Sequence, residues 1–448
     1  MRFSYPLDDG DFAHATLRCV GVGRCRRPGG DDVMCPSFIV TREEMHTTRG
    51  RARLLYEMLA GEIVTDGWDS DEVLEALDLC LACKGCTNDC PVDVDMPTLK
   101  AEFLHHRYAR RLRPRHAYAF GLIDETARAA SHAPGLVNLV ARTRLFKLAA
   151  DIAPEREVPR FAPLTLQQWF RARGGSRVHD GPPVLLWPDT FNNYFHTEVG
   201  VAAVEALEAA GHRVELPRGH VCCGRPLYDY GFLGLAERYL RRTLRQLGDG
   251  ETPIVGLEPS CVATFKDELP KLLGSDDARR LAARVRHFAE FWEEQGLDVP
   301  RLPRRALLWG HRHAKASGGF EPEPALLERM GLDAETIRGG CCGLAGSWGF
   351  ESAHYDVSLA CGEQALLPRV READPDTLLV ADGFSCKTQI QHATGRRTLH
   401  VAELLALARD GRVPERPRPS AGRRAARLGA VAVGTAALCY CAASRART

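Results

Sequence analysis

The chain has 448 residues, of which 45% are apolar and 26% are charged. This composition is typical of a globular protein and excludes a wholly disordered, collagenous or coiled-coil chain; at roughly 150 residues per domain the length predicts about three domains. The formal net charge of +1 gives no global basic field that would favour nucleic acid as a partner. The most informative figure is the number of cysteines, which is 16.

These cysteines indicate metal or iron–sulfur binding rather than disulfides. Residues 1–17 contain charges and no apolar run, so no secretory signal is visible. The cysteines are clustered along the chain, as metal ligands are, whereas disulfides persist in oxidising compartments. We therefore expect a cytoplasmic protein. Its C-terminal tail leaves open whether the protein also contacts the inner face of the membrane.

Residues 1–115 are predicted to be helical. The stretch 41–44 has the Thr-x-x-Glu form of a capping box, which would open a helix through Leu59. Another helix is expected to begin near Pro97, since proline suits the first helical position. A helical connector and a linker are expected over 116–181.

From about residue 182, predicted strands alternate with helices, which indicates an α/β layout. Short strands are predicted at 184–187, 213–216 and 254–257, and the helix that begins at Glu198 should stop at Gly211.

The α/β part contains an internal match. Val-Leu-Leu-Trp at 184–187 matches Ala-Leu-Leu-Trp at 306–309, and two Cys-Cys-Gly triplets and two Ser-Cys pairs follow at offsets of 119 and 125. Matched elements at a near-constant offset predict a duplication, with repeats at 182–300 and 301–408. The predicted fold class is therefore α+β multidomain: an all-α, two-cluster ferredoxin-like N-terminal domain followed by a duplicated α/β Cys-Cys-Gly domain.

The tail, 409–448, carries nine Arg against two acidic residues and then an apolar run at 428–443. These 16 apolar residues are fewer than the roughly 20 that a spanning helix needs. A membrane anchor and a peripheral Ala-rich helix both stay open, so peripheral membrane contact through this tail is one expectation.

The run Cys80-x2-Cys83-x2-Cys86-x3-Cys90 followed by Pro91 has the spacing of bacterial ferredoxins. In that motif three thiolates bind one cluster and the fourth binds the other cluster of a pair. A zinc site needs only two cysteine pairs and does not explain a run of four.

The partner motif is Cys19, Cys25 and Cys35, with Val22 at the position where a middle cysteine would stand. Crossing over between the motifs then predicts a complete set for a [4Fe–4S] cluster, made by Cys35, Cys80, Cys83 and Cys86. The remaining set, Cys19, Cys25 and Cys90, has three thiols. It predicts a [3Fe–4S] cluster, or a second [4Fe–4S] cluster with one ligand that is not cysteine.

Each predicted repeat supplies three candidate metal ligands: Cys222, Cys223 and Cys261 in the first, and Cys341, Cys342 and Cys386 in the second. His311 and His313 follow the strand at 306–309 and could complete the ligand set of the second repeat, whereas Asp189, in the matching place, is the weaker candidate and is expected to be structural. The alternative is that both repeats hold buried free thiols, a common environment for cysteine.

Several of these motifs resemble a known family. The segments 19–26, 34–38, 41–52 and 80–91 resemble the iron–sulfur half of FAD-linked D-2-hydroxyacid dehydrogenases, which include D-lactate and D-2-hydroxyglutarate dehydrogenases. The two Cys-Cys-Gly repeats also resemble the iron–sulfur subunits of glycolate oxidase and the B subunit of heterodisulfide reductase.

The resemblance implies an oxidoreductase that passes electrons from FAD, through these clusters, to a quinone, a cytochrome or a soluble carrier. In such relatives a flavin domain precedes the first cysteines, so FAD is expected on a partner subunit or a missing N-terminal part, and no catalytic residue is assigned to this chain. An iron–sulfur subunit like that of glycolate oxidase or anaerobic glycerol-3-phosphate dehydrogenase, and a non-catalytic iron–sulfur scaffold or redox sensor, are the alternatives.

The repeats depart from the family pattern. Arg312 stands where relatives carry cysteine, and Thr264 and Gln389 stand where the fuller pattern ends in Cys-x-x-Cys. A buried Arg312 beside thiolates would partly neutralise them, which favours a metal-free or altered second site.

Overall fold

The computed structural model describes residues 1–27, 34–247 and 250–419. The apolar run at 428–443, for which two interpretations are open, lies outside the described residues. Within the described ranges, no helix is long and apolar enough to cross a bilayer.

The described residues before 108 form helices and turns. The helices are α1 (Phe12–Leu17), α2 (Pro36–Thr41), α3 (Thr48–Ala60), α4 (Asp71–Asp78), α5 (Gly85–Asp89) and α6 (Met96–Arg107). Pro97 lies in the first turn of α6, as predicted.

The capping-box prediction at 41–44 is wrong. Thr41 ends α2, and α3 begins only at Thr48. The side chain of Thr47 caps α3 instead, accepting the Gly50 N–H at 2.8 Å. Gly50 permits this start because a Cβ there would lie 2.2 Å from the Glu44 carbonyl oxygen, so the turn before α3 can pack directly on the helix.

Four short helices make the connector between the N-terminal helices and the sheets. They are α7 (Arg115–Gly121), α8 (Ile123–Ala130), α9 (Pro134–Val140) and α10 (Arg144–Ala150). The segment 153–163 contains no helix, in agreement with the predicted linker, and α11 (Leu166–Ala172) follows it.

The first sheet is parallel, with strand order β2-β1-β3-β4. Its strands are β1 (Pro183–Trp187), β2 (Arg213–Glu215), β3 (Ile254–Gly256) and β4 (Val285–His287). Its helices are α12 (Thr190–Tyr194), α13 (Thr197–Ala209), α14 (Arg225–Asp229), α15 (Leu233–Leu247), α16 (Pro259–Ala263), α17 (Leu269–Leu273), α18 (Asp276–Arg284) and α19 (Phe288–Glu294). All residues of β3 are buried, as expected for a parallel strand covered on both faces.

The second sheet is also parallel, with strand order β6-β5-β7. Its strands are β5 (Arg305–Trp309), β6 (Asp333–Ile337) and β7 (Leu378–Val380). Its helices are α20 (Arg312–Ala316), α21 (Pro322–Arg329), α22 (Tyr355–Gly362), α23 (Leu366–Glu372), α24 (Phe384–Thr394) and α25 (Val401–Asp410).

The fold is therefore a helical N-terminal part followed by a mixed α/β part with parallel sheets. The order β2-β1-β3 corresponds to β6-β5-β7, with β4 added at one edge, which is the arrangement that a duplication would produce. The duplication itself and the domain boundaries stay predictions.

Two apolar cores connect these parts. One core joins side chains of both sheets, including Leu186 of β1 and Leu308 of β5, and α13 packs on α25. The other core joins the N-terminal helices to the first sheet through Trp187 and Phe265. The cysteine-bearing segments consequently lie where the helical part meets the carboxyl ends of the strands, the usual ligand-binding edge of a parallel sheet.

Candidate metal centres

Four thiols from two segments of the N-terminal part come together: Cys35, Cys80, Cys83 and Cys86. Ala82 and Lys84 adopt left-handed backbone conformations, with φ of 47° and 57°. These two residues bend the segment tightly, so that its three thiols converge on one point.

Three of these thiols, those of Cys35, Cys83 and Cys86, lie in an environment that disfavours free thiolates. Burial raises the pKa of Cys35 and of Cys83 to about 12, and it raises the pKa of Cys86 well above the ordinary thiol value. Neighbouring thiols add to each shift. A bound metal reverses this balance, because a coordinating thiol is deprotonated outright, so the residues fit a thiolate-ligated cluster.

The sulfur of Cys35 also has hydrogen-bond donors. It accepts the backbone N–H of Thr48 at 3.0 Å and lies 3.1 Å from the Thr48 hydroxyl. Against the larger effect of burial, the Arg51 guanidinium and Thr48 both lower the pKa of Cys35. Hydrogen bonds to ligand sulfurs are one means by which a protein tunes cluster potential.

The other three N-terminal thiols, those of Cys19, Cys25 and Cys90, line one small pocket together with Val22. Val22 is 60% exposed, and its aliphatic side chain provides no ligand atom. Among the described residues that line this pocket there is no fourth cysteine. The seven cysteines thus lie in two neighbouring sets, and Cys25 of the second set is near enough to Cys35 of the first to raise its pKa.

Lys84, between two of these cysteines, was not singled out from the sequence. Its side chain is 3% exposed and its Nζ lies 2.9 Å from Glu268 and 3.5 Å from Asp95, with Asp267 in direct contact. Burial alone would lower the pKa of Lys84, but the three carboxylates raise it well above the ordinary value. This ion-pair network holds the cysteine loop against the first sheet's π-helical turn (Thr264–Glu268).

The first Cys-Cys-Gly group is compact and buried. The sulfurs of Cys223 and Cys261 are 3.0 Å apart, and Cys222 accepts the N–H of Gly224 at 3.3 Å. A hydrogen bond with Cys223 lowers the pKa of Cys261, but burial and the Asp189 carboxyl outweigh it and raise that pKa to about 12.

The second group has the same local design. Cys342 hydrogen-bonds with both Cys341 and Cys386, and the Gly343 N–H points to Cys341 at 3.5 Å. Cys341 also lies close enough to Cys83 to raise its pKa. The second Cys-Cys-Gly group therefore adjoins the ferredoxin-type run. The first group lies near the connector instead, since the pKa of Cys222 is raised by Cys223 and, from the connector, by Asp124.

His311 and Asp189 occupy equivalent positions after β5 and β1. Asp189 caps α12 by accepting the N–H groups of Phe191 and Asn192, which supports its predicted structural role. His311 likewise caps α20, accepting the His313 N–H through Nδ1 at 3.2 Å. One nitrogen of His311 is thus already used by the fold.

His313 is buried, and its ring lies 5.2 Å from that of His311. Neither ring nitrogen of His313 has a partner of good geometry among the described residues, although the Ala82 carbonyl is near enough to raise its pKa slightly against the larger effect of burial. Burial lowers the pKa of His311 to about 3 and that of His313 well below 6.5. Both imidazoles are neutral at pH 7, the form that binds metals.

Arg312 lies between the second group and the ferredoxin-type run. Its Nε donates to the Gly340 carbonyl at 2.9 Å, and its Nη1 lies 3.4 Å from Asp89. This cation lowers the pKa of Cys83 against the larger effect of burial, and it lowers the pKa of Cys341 against the larger effects of a hydrogen bond with Cys342 and of burial. Arg312 is therefore a cation beside these thiols, as the sequence analysis expected.

Cys361 is a buried thiol that the sequence analysis missed. It lies on α22, is fully buried, and is close enough to Cys341 and Cys83 for both to raise its pKa, after the larger effect of burial. No spacing motif includes it, so only the packing of α22 against the second group reveals it. All fourteen cysteines among the described residues are free.

Two family models match the chain. A 4Fe-4S dicluster domain model matches residues 15–94, which include all seven N-terminal cysteines, and a Cysteine-rich domain model matches residues 190–266, which include the first Cys-Cys-Gly group. The helical part is accordingly a 4Fe-4S dicluster domain, followed by a cysteine-rich domain.

Several curated proteins are similar. D-2-hydroxyglutarate dehydrogenase of Pseudomonas putida is 29% identical over 88% of this chain and 43% of its own length. The C subunit of the anaerobic glycerol-3-phosphate dehydrogenase of Escherichia coli K12 is 28% identical over 59% of this chain and 69% of its own length. Lactate utilization protein A of Geobacillus kaustophilus is 29% identical over 50% of this chain and 98% of its own length.

The chain thus matches two iron–sulfur-type domain models and is similar to proteins named as dehydrogenases. It spans less than half the length of the D-2-hydroxyglutarate dehydrogenases that it matches, and the matched names agree with the resemblance to dehydrogenases.

Proposed function

We propose that this chain is the iron–sulfur electron-transfer part of a flavin-dependent D-2-hydroxyacid dehydrogenase of the D-lactate or D-2-hydroxyglutarate type. The observation that supports this most is the gathering of seven cysteines into groups of four and three within the dicluster domain. We assign a [4Fe–4S] cluster to Cys35, Cys80, Cys83 and Cys86. Such clusters, when bound, supply one-electron transfer.

For the group of three, Cys19, Cys25 and Cys90, we assign a [3Fe–4S] cluster, with a [4Fe–4S] cluster carrying one ligand other than cysteine as the alternative. The reason is Val22, whose aliphatic side chain borders the pocket where a fourth thiol would stand. Valine has no atom that can bind iron.

FAD is assigned to a partner subunit or to a part of the protein outside this chain, and oxidation of the hydroxyacid takes place there. The acceptor is a quinone, a cytochrome or a soluble carrier, in the cytoplasm or at the inner face of the membrane. The residues of this chain hold the ligands: Thr48 and Arg51 stabilise charge at Cys35, and Lys84 fixes the loop that carries Cys83 and Cys86.

We assign the cysteines of the two Cys-Cys-Gly groups, together with His311 and His313, as metal ligands. Each group has three thiols, one fewer than a four-thiolate cluster site. In each group the three thiols lie close together, and the ring nitrogens of His313 have no hydrogen-bond partner of good geometry among the described residues. Buried thiols without metal are the competing interpretation, favoured by Arg312 beside Cys341.

A second candidate is an iron–sulfur subunit like that of glycolate oxidase or anaerobic glycerol-3-phosphate dehydrogenase. It is favoured by the match to a protein named as the C subunit of the latter enzyme. The flavoprotein encoded beside this chain discriminates between the two. Reduction of the clusters by D-2-hydroxyglutarate or D-lactate supports the first candidate, and reduction by glycolate or glycerol 3-phosphate supports the second.

The decisive experiment is anaerobic purification with iron and sulfide analysis and EPR spectroscopy of the oxidised and reduced protein. The expected result is about seven irons per chain if the repeats bind none, an oxidised three-iron signal and a reduced cubane signal. Zinc in place of iron would refute the electron-transfer proposal and favour a scaffold or sensor.

Two variants test the ligand groups. Cys83→Ser should abolish the [4Fe–4S] signal, and Val22→Cys should convert the three-iron signal to that of a cubane. Cys222→Ser, outside both N-terminal groups, is the matched control and should leave both signals intact. Unchanged spectra in the first two variants would show that these ligand assignments are wrong.

A further inference from the structure

A group of metal-ligand side chains without cysteine lies where the connector meets the first sheet. Asp124 and Glu125 belong to the first turn of α8, and His220 lies in the loop between β2 and α14. One carboxylate oxygen of each acidic residue and one ring nitrogen of His220 lie within 4.8 Å of one another. Two segments that are far apart in sequence therefore direct three potential ligand atoms to one point.

Two of these ligand atoms are buried and lack a hydrogen bond. The side chains of Asp124 and His220 are 5% and 10% exposed, and the Asp124 Oδ2 lies 2.5 Å from the His220 Nε2. Neither atom has a hydrogen-bond partner of good geometry among residues 1–27, 34–247 and 250–419. Burying polar atoms without a hydrogen bond is costly. A cation that accepts a lone pair from each atom removes this cost.

Hydroxyl groups around the cluster hold both carboxylates in place. The Thr190 hydroxyl donates to the other oxygen of Asp124, Oδ1, at 3.1 Å, and the Tyr239 hydroxyl donates to the Glu125 Oε1 at 2.7 Å. Such outer partners orient the ligands of metal sites. Thr190 also separates this cluster from the first Cys-Cys-Gly group, because its hydroxyl lies 3.9 Å from the Cys222 sulfur. The cluster is therefore distinct from the thiol groups.

We propose that Asp124, Glu125 and His220 bind one divalent transition-metal ion, which ties α8 to the loop before Cys222. One imidazole and two carboxylates form a nitrogen and oxygen ligand set that suits such ions. Ligand atoms about 2.1 Å from a tetrahedral ion lie about 3.4 Å apart. The His220 Nε2 is already 3.9 Å from the Glu125 Oε1, and Asp124 must move by only about 1 Å to admit the ion. The inference goes beyond the proposed function, because the ion joins two segments and carries no electrons.

Binding is tested by titrating the anaerobically purified full chain with Mn²⁺ after dialysis against EDTA and then metal-free buffer. Free Mn²⁺ is measured by its EPR signal at room temperature, where iron–sulfur clusters give no signal because their spins relax rapidly. Mn²⁺ is the suitable probe because it prefers oxygen ligands to thiolates. The expected result is about one Mn²⁺ bound per chain at this cluster.

Three variants locate the site. Asp124→Asn and Glu125→Gln should each weaken Mn²⁺ binding at least tenfold, and the second variant keeps the fold intact because Glu125 is exposed. His116→Gln is the matched control and should bind Mn²⁺ normally. The His116 imidazole also lies between two carboxylates of the connector and the second sheet, 3.0 Å from Asp151 and 3.5 Å from Glu351, but it makes a regular hydrogen bond with Asp151.

Pulsed EPR of the Mn²⁺-loaded protein, at fields away from the cluster signals, identifies the ligand on the loop. Coupling to one imidazole nitrogen is expected, and His220→Gln should abolish it. Absence of Mn²⁺ binding, binding unchanged in both carboxylate variants, or absence of nitrogen coupling would overturn the inference and leave an Asp124–His220 ion pair only. None of these results depends on whether the clusters are reducible, so they leave the electron-transfer proposal to its own test.

Discussion

Replacement of Lys84 by methionine tests whether the cysteine loop is held by buried charge. Methionine keeps the length of the side chain and removes its ammonium, which lies 2.9 Å from Glu268 and contacts Asp267. Removing one partner of a buried ion pair costs about 3–5 kcal/mol, because the other charge stays buried without compensation.

The structure places the expected cost at the lower end of that range. Glu268 keeps Arg225 at 2.8 Å, and Lys271 remains 2.7 Å from Asp95 and 2.6 Å from Asp267. Every carboxylate therefore retains one cation, and we expect a loss of about 3 kcal/mol in the free energy of unfolding. That is a large fraction of the roughly 5–15 kcal/mol that stabilises a typical domain.

The assay is urea denaturation of the iron-loaded protein, followed by cluster absorbance and tryptophan fluorescence. Lys84→Met should shift the midpoint of cluster loss to lower urea before it shifts other transitions, because the network holds the cluster-binding loop. Lys147→Met, at a partly exposed position of the connector whose ammonium donates to the Pro154 carbonyl, should change stability by about 0.5 kcal/mol or less. A Lys84→Met protein within about 1 kcal/mol of the wild type would refute the buried-charge argument.

Two other predictions concern the second sheet. Hydrogen bonds with the carboxylates of Asp78 and Glu351 outweigh burial and raise the pKa of His354 to about 9. The stabilising contribution of His354 is therefore complete below about pH 6.5 and is lost as the pH rises through 9. The denaturation midpoint of His354→Gln should lack this dependence on pH between 6.5 and 9. Gly343→Ala should destabilise the protein by about 1–3 kcal/mol more than Gly224→Ala, the usual cost of an overpacked core position. Both glycines have a positive φ, but a Cβ at position 343 would lie 1.9 Å from the Ser358 carbonyl oxygen, whereas the nearest atom to a Cβ at position 224 would be 3.7 Å away. Equal thermal unfolding temperatures of the two alanine variants would contradict the packing argument.

Local patterns were sufficient for the elements that depend on local chemistry. The predicted strand at 184–187 is β1 (Pro183–Trp187), and the predicted helix before Gly211 is α13 (Thr197–Ala209). Both lie in runs whose apolar residues have a clear period and whose ends carry a breaking residue. The predicted start of α3 was wrong, because Thr41 and Thr47 both offer a capping hydroxyl and only the packing at Gly50 selects the second.

At the cysteine sites, too, local sequence patterns predicted some features and long-range packing decided others. The spacing of the two N-terminal motifs, with the crossing over typical of paired clusters, predicted sets of four and three thiols, and these sets stay a prediction. The structure brings Cys86 near Cys35, Cys80 and Cys83, and it brings Cys19, Cys25 and Cys90 to one pocket. No spacing rule relates Cys361 or Lys84 to these groups, because their contacts join segments that are far apart in sequence.

The sequence by itself determined which residues of the N-terminal part can offer thiol ligands, how far apart they lie along the chain, and that valine stands at position 22; the ligand sets drawn from this stay predictions. These properties depend on residue identity and on separations of a few residues. Tertiary structure alone decided that the second Cys-Cys-Gly group adjoins Cys83, that Lys84 is enclosed by carboxylates of another segment, and that the connector helices cover an apolar cavity beside the thiols. Such arrangements follow from how helices and sheets pack over long sequence separations, which local patterns do not encode.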